Sequence, residues 1–504
     1  MSPTPRSRAL RALLPLAVGL VACSAPTPPT AQNSNLFSEV YSDVAEYHLT
    51  DPTADHLALA GLAKLSTIDP KIAVGRSGGD VVLSLGDKNL HFAAPPPQDD
   101  EGWGDLTKAA IAAARAGSPP VAALDPDRLD ETVISGSLAT LDRFSRYVRP
   151  AIAREHRAMR DGFVGIGVTL TFDHNDVRIT EVFPDTPAAL AGIQPADRII
   201  AIDGTQLHDL SPEALRTRLS GAANTPLTLQ IARAGRDDYL TMTMRRTLIV
   251  EPTVSLAEHD GIAWLKVTSF NQRTAETAAE LLHRAHAEMG AALRGIVLDL
   301  RGNPGGLLDQ SVDLAGLFLT TGTVSSTVGR VADSNQVFTV PPGGRPETLP
   351  VAVLVNGGSA SASEVVTAAL QDDDRAVVIG TSSFGKGTVQ TVLRTENGGE
   401  LTVTWAQLIA PRGYHLHHHG VVPTICTSGA GSGDAAELAA NPPAALEEPR
   451  ERLDDAGWTA LRARCPPQTT ESSLDERVAR RVIADPRLYR AALETQAQLS
   501  AAAR

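Results

Sequence analysis

The chain has 504 residues, 42% hydrophobic and 4% aromatic, with a formal net charge of −13. That length calls for two or three domains with ample core, and the acidic balance excludes nucleic-acid recognition through a basic surface. The three cysteines, Cys23, Cys426 and Cys465, show no metal-ligand spacing.

Residues 1–22 carry Arg6, Arg8 and Arg11 ahead of a short apolar run from Leu13 to Ala22, the pattern of an export signal too short to span a membrane. Leu20-Val21-Ala22-Cys23 resembles a bacterial lipobox, which implies lipidation of Cys23; an ordinary signal peptide cut nearby is the alternative. Residues 23–36 are polar and proline-bearing and read as a tether. Both leader readings end in a bacterial envelope compartment, the periplasm or its membranes, where Cys426 and Cys465 either pair or stay free.

Residues 37–160 read as mainly helical, with predicted helices over 37–47 and 129–148, strands within 71–94 and a Pro/Asp-rich linker at 93–104. Residues 162–247 contain the glycine-bearing run Phe163-Val164-Gly165-Ile166-Gly167-Val168 and the segment TPAALAGIQPADRIIAIDG at 186–204. Both resemble a PDZ domain. The resemblance implies that Gly165, Ile166, Gly167 and Val168 present backbone N–H groups to a C-terminal carboxylate while the following strand takes the peptide by β-augmentation. A strand-rich module that binds nothing is the alternative. Ala196 stands where such domains usually carry glycine.

Residues 248–425 alternate strands and helices: a strand at 262–270, a helix at 274–292, an apolar strand at 295–300, the turn Arg301-Gly302-Asn303-Pro304-Gly305-Gly306, and a helix at 307–319. After a loop-rich stretch at 321–349 the unit repeats, with a strand at 351–355, the turn Asn356-Gly357-Gly358 and a helix opening at Ser361-Ala362-Ser363-Glu364. The Ser-x-x-Glu spacing is that of a capping box. A further strand at 376–379 leads to Phe384-Gly385-Lys386-Gly387 and then Gln390. Repeated strand-turn-helix units predict a mostly parallel sheet with its active site at the carboxyl ends of the strands. Ser361 at the positive end of a helix either only caps it or uses the outward N–H groups as an oxyanion site. A lysine pressed between glycines is placed to lose solvation, and with an ordinary pKa near 10.4 it needs a strong downward shift to act as a base at neutral pH.

The stretches GSASASE and FGKGTVQ at this distance resemble the carboxyl-terminal processing proteases, the S41 serine peptidases. The resemblance spans roughly residues 130–425, including GSLATLDRFSRYVRP at 136–150. It implies a multidomain α/β protein: a crotonase-like (ClpP/crotonase) protease core at 248–425, the PDZ domain, an N-terminal helical region and a C-terminal extension at 426–504. Ser361 is then the nucleophile, Lys386 the general base and Gln390 the side chain that orients it. The Ala362 N–H is one oxyanion donor, with Gly305 or Gly306 as the second. No metal and no cofactor are expected. The histidines His415, His417, His418 and His419 invite a metal reading if they share a strand face, but they fall where the family has a variable polar loop. A Ser-His-Asp hydrolase is disfavoured because no Gly-x-Ser-x-Gly surrounds Ser361. The expected function is an envelope serine endopeptidase that docks apolar C-terminal tails of protein substrates. The alternative is a non-catalytic PDZ-bearing adaptor. Expected partners are such tails and a membrane met through the lipid anchor, with homo-oligomerisation or a separate adaptor left open.

Overall fold

The computed structural model describes residues 35–173, 176–207, 210–429, 435–440 and 450–501. The export leader, Cys23 and nearly all of the tether lie outside them.

Six strands form the central sheet in chain order: β1 (Val254–His259), β2 (Ile262–Val267), β3 (Gly295–Asp299), β4 (Val351–Val355), β5 (Ala376–Gly380) and β6 (Ile425–Cys426). β1 and β2 make an antiparallel hairpin over Asp260 and Gly261, whose φ of 59° and 73° give the turn that suits strand twist. Every later pairing is parallel, as the repeated strand-turn-helix grammar predicts.

All residues of β3, β4 and β5 are buried, which explains why these strands read as apolar runs without alternation. Successive side chains go to opposite faces. Val351, Val353, Val355 and Val378 pack with helices α1 (Thr274–Met289), α2 (Leu308–Gly316) and α3 (Ala362–Asp372). Ala352, Leu354, Val377 and Ile379 pack instead with residues of the C-terminal extension, among them Leu474, Val478, Val482 and Ala492. That extension forms α4 (Asp455–Arg464), α5 (Ser473–Ala484) and α6 (Pro486–Ala501). The helical stretch from Ser473 onward is divided at Asp485 by Pro486, which starts a new helix at its first position. The extension is thus the second cover of the core sheet. A disulfide between Cys426 and Cys465 joins β6 to the residue that ends α4, so the two cysteines are paired.

A second, antiparallel sheet runs Val337–Thr339, Thr323–Gly329, Glu400–Ile409, Thr388–Arg394, so the stretch expected to be loop-rich supplies two strands. The N-terminal region packs helices Leu36–Tyr47, Ala54–Ala63, Asp100–Gly117 and Pro126–Leu138 with a three-stranded antiparallel sheet, and its core takes in Leu401 and Val403 of the second sheet. Two expectations fail here. The predicted linker contains a helix start: Asp99 accepts from Gly102 N–H at 2.9 Å and caps an 18-residue helix that buries Trp103. The helix expected over 129–148 stops at Leu138, because Asp142 turns the chain by accepting from Phe144 N–H (2.6 Å) and Ser145 N–H (2.8 Å), and Arg146–Val148 becomes a strand.

Between the two parts lies a strand-rich unit whose sheet runs Leu240–Arg245, Pro226–Ala232, Arg198–Ile202, Asp176–Val182, Val168–Asp173. It is entered and left through one antiparallel ribbon, Phe163–Gly165 against Thr247–Ile249.

Candidate active site

Three turns meet at the carboxyl ends of β3, β4 and β5. In the first, Asn303 Nδ2 donates to Val267 O (2.9 Å) and its Oδ1 accepts from Gly305 N–H (2.8 Å), which fixes the Asn-Pro-Gly-Gly bend. Both glycines are obligatory. Gly306 (φ 149°) lies where an added Cβ would come within 2.1 Å of Phe270 O, and one on Gly305 (φ 99°) would lie 2.9 Å from Ser361 Cβ and 3.0 Å from Ala362 N. The first turn is therefore packed against Ser361. Asn356 Oδ1 accepts from both Gly302 N–H and Gly358 N–H at 2.9 Å and binds the first turn to the second.

Ser361 sits at the N-terminus of α3 with φ 57° and ψ −116°, a region that costs a residue with a side chain about 1–3 kcal/mol and is held only when its surroundings over-determine it. What holds it is Glu364. The two residues stand in capping-box register, and Glu364 Oε2 accepts from Ser361 N–H at 2.7 Å, whereas the serine hydroxyl makes no cap hydrogen bond of good geometry. The same carboxyl reaches the third turn: Oε2 accepts from Lys386 N–H (2.9 Å), and Oε1 from Gly385 N–H (2.7 Å) and Ser383 Oγ (2.5 Å). One fully buried carboxyl, its pKa pushed up by that burial, thus ties the backbone of Ser361 to that of Lys386. The capping-box spacing signalled the local bond; nothing in the sequence signalled the long-range ones.

The glycines around Lys386 serve a close approach. A Cβ on Gly387 would fall 1.8 Å from His417 N, and one on Gly385 3.1 Å from the backbone of His418. Burial, then the charge of Arg146, lower the lysine pKa, with Glu364 and Asp142 opposing. Its Nζ lies over the Phe144 ring, 5.2 Å from the centroid, and makes no hydrogen bond to Ser361. Gln390 Nε2 donates to Thr388 Oγ1 (2.9 Å) and Thr404 Oγ1 (3.3 Å) and not to Lys386. Thr404 in turn donates to Asp142 Oδ1 (3.1 Å), whose other oxygen faces His48 Nε2 at 3.0 Å. Phe144, Arg146, Asp142 and His48 were all missed by sequence reasoning, since they come from the segment read as helix or from a distant helix end.

Among the described residues neither Ala362 N–H nor Gly306 N–H has a hydrogen-bond partner, while Gly305 N–H is taken by Asn303. The histidines occupy a turn and not a strand: His418 has φ 65°, His419 Nδ1 meets His415 O, and its Nε2 meets Asp455 Oδ1. Burial and the neighbouring His418 and Arg143 push the His417 pKa down to about 4. No group of three or more potential ligands for a metal ion occurs among the described residues.

In the strand-rich unit, Ile166 is buried and Gly167 (φ 82°) packs so closely on Thr186 that a Cβ would lie 2.4 Å from it. Strand Val168–Asp173 ends the sheet order, and the Arg216 guanidinium, on helix Pro212–Leu219, lies over its Phe172 ring at 5.5 Å. Among the described residues that strand pairs on one side only, so a glycine-bearing loop, a strand edge and a flanking helix supply the elements that β-augmentation uses.

A serine strained at a helix start, with a lysine turn and a peptide-docking module on one chain, defines a serine-type peptidase. Residues 261–427 match peptidase family S41 and residues 178–233 match a PDZ domain. The chain is 37% identical over 303 residues to a carboxy-terminal-processing protease of Bartonella bacilliformis, covering 60% of this chain and 70% of that one. It is 35% identical over 301 residues to a carboxyl-terminal-processing protease of Synechocystis sp., covering 58% and 69%. With the carboxy-terminal processing protease CtpA of Bacillus subtilis the identity is 31% over 303 residues, covering 60% and 64%. The chain belongs to the carboxy-terminal processing proteases of family S41, and it is a serine-type peptidase with a PDZ domain. This membership favours the enzyme over the non-catalytic adaptor.

Proposed function

We propose that this protein is a bacterial envelope endopeptidase that captures the apolar C-terminal tail of a protein substrate on its PDZ domain and cleaves nearby with a Ser361/Lys386 dyad. The observation that carries this reading is the Glu364 carboxyl, which binds the N–H groups of both residues beside two unpartnered backbone donors. In the reaction the lysine side chain swings from Phe144 to Ser361 and takes the hydroxyl proton as the oxygen attacks the peptide carbonyl; it then returns the proton to the leaving amine. Ala362 N–H and Gly306 N–H take the negative charge of the tetrahedral intermediate. Gly305, whose N–H is engaged, shapes the turn. Gln390 aims the lysine once the side chain has moved, and its present bonds to Thr388 and Thr404 hold it ready. Gly165, Ile166, Gly167 and Val168 hold the tail's carboxylate.

Placement in the envelope, with Cys23 carrying lipid, rests on the leader sequence. Among the described residues no helix is long and apolar enough to cross a membrane. The domain limits follow the sequence units: leader 1–22, tether 23–36, N-terminal region 37–160, PDZ 162–247, protease core 248–425 and extension 426–504.

The test is cleavage of an unfolded reporter with an apolar C-terminal tail by wild type, Ser361→Ala and Lys386→Ala. Wild type cuts, with or without EDTA, while both variants bind the tail and do not cut. A wild type that binds the tail and never cuts, across pH and with partners added, overturns the reading.

A further inference from the structure

Residues 450–501 lie beyond the stretch that matches the peptidase family, yet they reach all three turns of the site. Gly357 N–H donates to Gln468 O (2.7 Å), Asn356 Nδ2 to Thr469 O (3.1 Å), and Arg301 Nη1 to Ser472 O (2.9 Å) and Asp475 Oδ2 (3.2 Å). The third turn is reached by Gln468, whose N–H donates to Thr381 Oγ1 (3.1 Å), and by the side chain of Arg462 on α4. Its Nη2 donates to Ser383 O (2.8 Å) and its Nη1 to His419 O. Ser383 is the residue whose hydroxyl donates to Glu364 Oε1.

Gly420 stands between the arginine and that carboxyl. A Cβ added there would lie 2.8 Å from Glu364 Oε1 and 2.9 Å from Arg462 Nη1, so the absent side chain is what lets the two approach. The cations whose charge couples to Glu364 are Arg462, from α4, and Lys386, on the turn that Glu364 binds. Lys386 must be neutral to act as a base. Arg462 is then the one of the two that keeps its charge, because a guanidinium stays protonated in proteins. As a carboxylate, Glu364 accepts all four of its bonds; a proton on it would set a donor against a donor and leave a buried N–H or O–H without a partner.

We propose that Arg462 is a positioning residue for catalysis: through Ser383 and across Gly420 it keeps Glu364 ionised, and Glu364 holds the nucleophile turn and the lysine turn in register. Burial opposes ionisation of Glu364 and also disfavours charge on Arg462, while the charge of Glu364 favours the guanidinium; an opposite charge close by favours the charged form of each. The disulfide at Cys465, three residues beyond Arg462, ties the end of α4 to β6. The C-terminal extension is on this view part of the catalytic apparatus. The inference rests on the reading of Ser361 and Lys386 as the dyad.

The experiment follows the rate at which a serine-directed phosphonylating probe labels Ser361, together with kcat and KM on a short peptide, in the full chain and in Arg462→Met, Arg462→Lys, Glu364→Gln and the Arg462→Met/Glu364→Gln double variant. Arg462→Met is expected to lower kcat and labelling about a hundredfold, as a misplacement near 1 Å does, with KM nearly unchanged. Arg462→Lys should restore most of the rate, and the ratio of Arg462→Met to wild-type activity, each measured at the same pH, should rise as pH is raised and Glu364 ionises. In the Glu364→Gln background the arginine substitution should cost little more, since coupled residues are non-additive. If Arg462→Met folds poorly, the lysine variant and the pH dependence still decide. Unchanged rates in Arg462→Met overturn the inference, as does an equal loss in both backgrounds or a loss of thermal stability and rate that lysine does not rescue. Failure of the wild type to label at Ser361 overturns the dyad itself.

Discussion

The central sheet and the PDZ sheet are built from similar apolar residues and do opposite things with them. In β3, β4 and β5 every residue is buried between two helical covers. In the PDZ strand Pro226–Ala232 burial alternates strictly, and Val168–Asp173 keeps one edge free. A sheet closed on both faces fixes the positions of its strand ends, which is what the three turns of the proposed site require. A sheet with one covered face and an open edge has backbone donors and acceptors to offer a peptide. Substitutions in the first should therefore act on kcat, and those in the second on KM for tailed substrates alone.

Gly306→Ala tests the first half most severely. Its Cβ would meet Phe270 O at 2.1 Å, so the turn must move, and with it the unpartnered Gly306 N–H proposed as an oxyanion donor. Loss of one oxyanion donor costs about 10²–10³ in kcat, and steady-state kinetics on a short peptide should show that loss with tail binding intact. Gly167→Ala is the counterpart. A Cβ at φ 82° and 2.4 Å from Thr186 distorts the carboxylate loop. It should raise KM for a tailed reporter about tenfold, the effect of 1.4 kcal/mol, while a tail-less peptide is cut at the wild-type rate. Should Gly167→Ala depress kcat on the tail-less peptide as well, the division of labour between the sheets fails.

What was legible in the sequence follows the range of the interactions. The strands at 351–355 and 295–300, the Asn-Pro-Gly-Gly turn and the start of α3 are set by neighbours within a few residues, and the periodicity, glycines and capping spacing record them. Family resemblance then assigned roles to Ser361 and Lys386. The second task of Glu364 joins residues 361 and 386, the disulfide joins 426 and 465, and Arg462 stands 98 positions from the carboxyl it faces. Sequence distance carries no geometry, so these were out of reach. The helix stop at Leu138 was local but hidden, because the apolar period continues through 148 while the Asp142 side chain diverts the backbone. Ala196 shows the same limit: the sequence marks it as a departure, and only φ 73° shows that it keeps the left-handed turn glycine would favour.

A smaller effect sharpens the electrostatic side of the comparison. Burial and then Arg146 lower the lysine pKa, while Glu364 and Asp142 raise it. With the neutral amine of Lys386 as the proposed base, kcat/KM should climb with pH as Lys386 loses its proton. The climb comes earlier than for a solvated lysine. Arg146→Ala removes a positive charge that disfavours the ammonium, so the climb should move to higher pH and the rate at pH 7 should fall. Because Arg146 is exposed, added salt should produce the same displacement in wild type and little in the variant.

The smallest expected effect lies in the PDZ sheet. Ala196 precedes Asp197, which is buried and held by Arg233 through bonds of 2.8 and 2.7 Å. The turn is thus pinned in a conformation that costs an alanine about 1–2 kcal/mol, whereas glycine adopts it freely but adds about 0.5–1 kcal/mol of unfolded-chain entropy to be overcome. The two nearly cancel, so Ala196→Gly should stabilise the unit by only about 0.5 kcal/mol, read as a rise of a few degrees at most in the PDZ melting transition. Because the Ala196 N–H donates to Ile179 O within the PDZ sheet (2.8 Å) and residue 196 bonds to none of the three turns of the site, kcat on a short peptide should not change. A change there would mean that the PDZ sheet transmits its own stability to the site, and the two sheets could no longer be treated as a rigid holder and an independent reader.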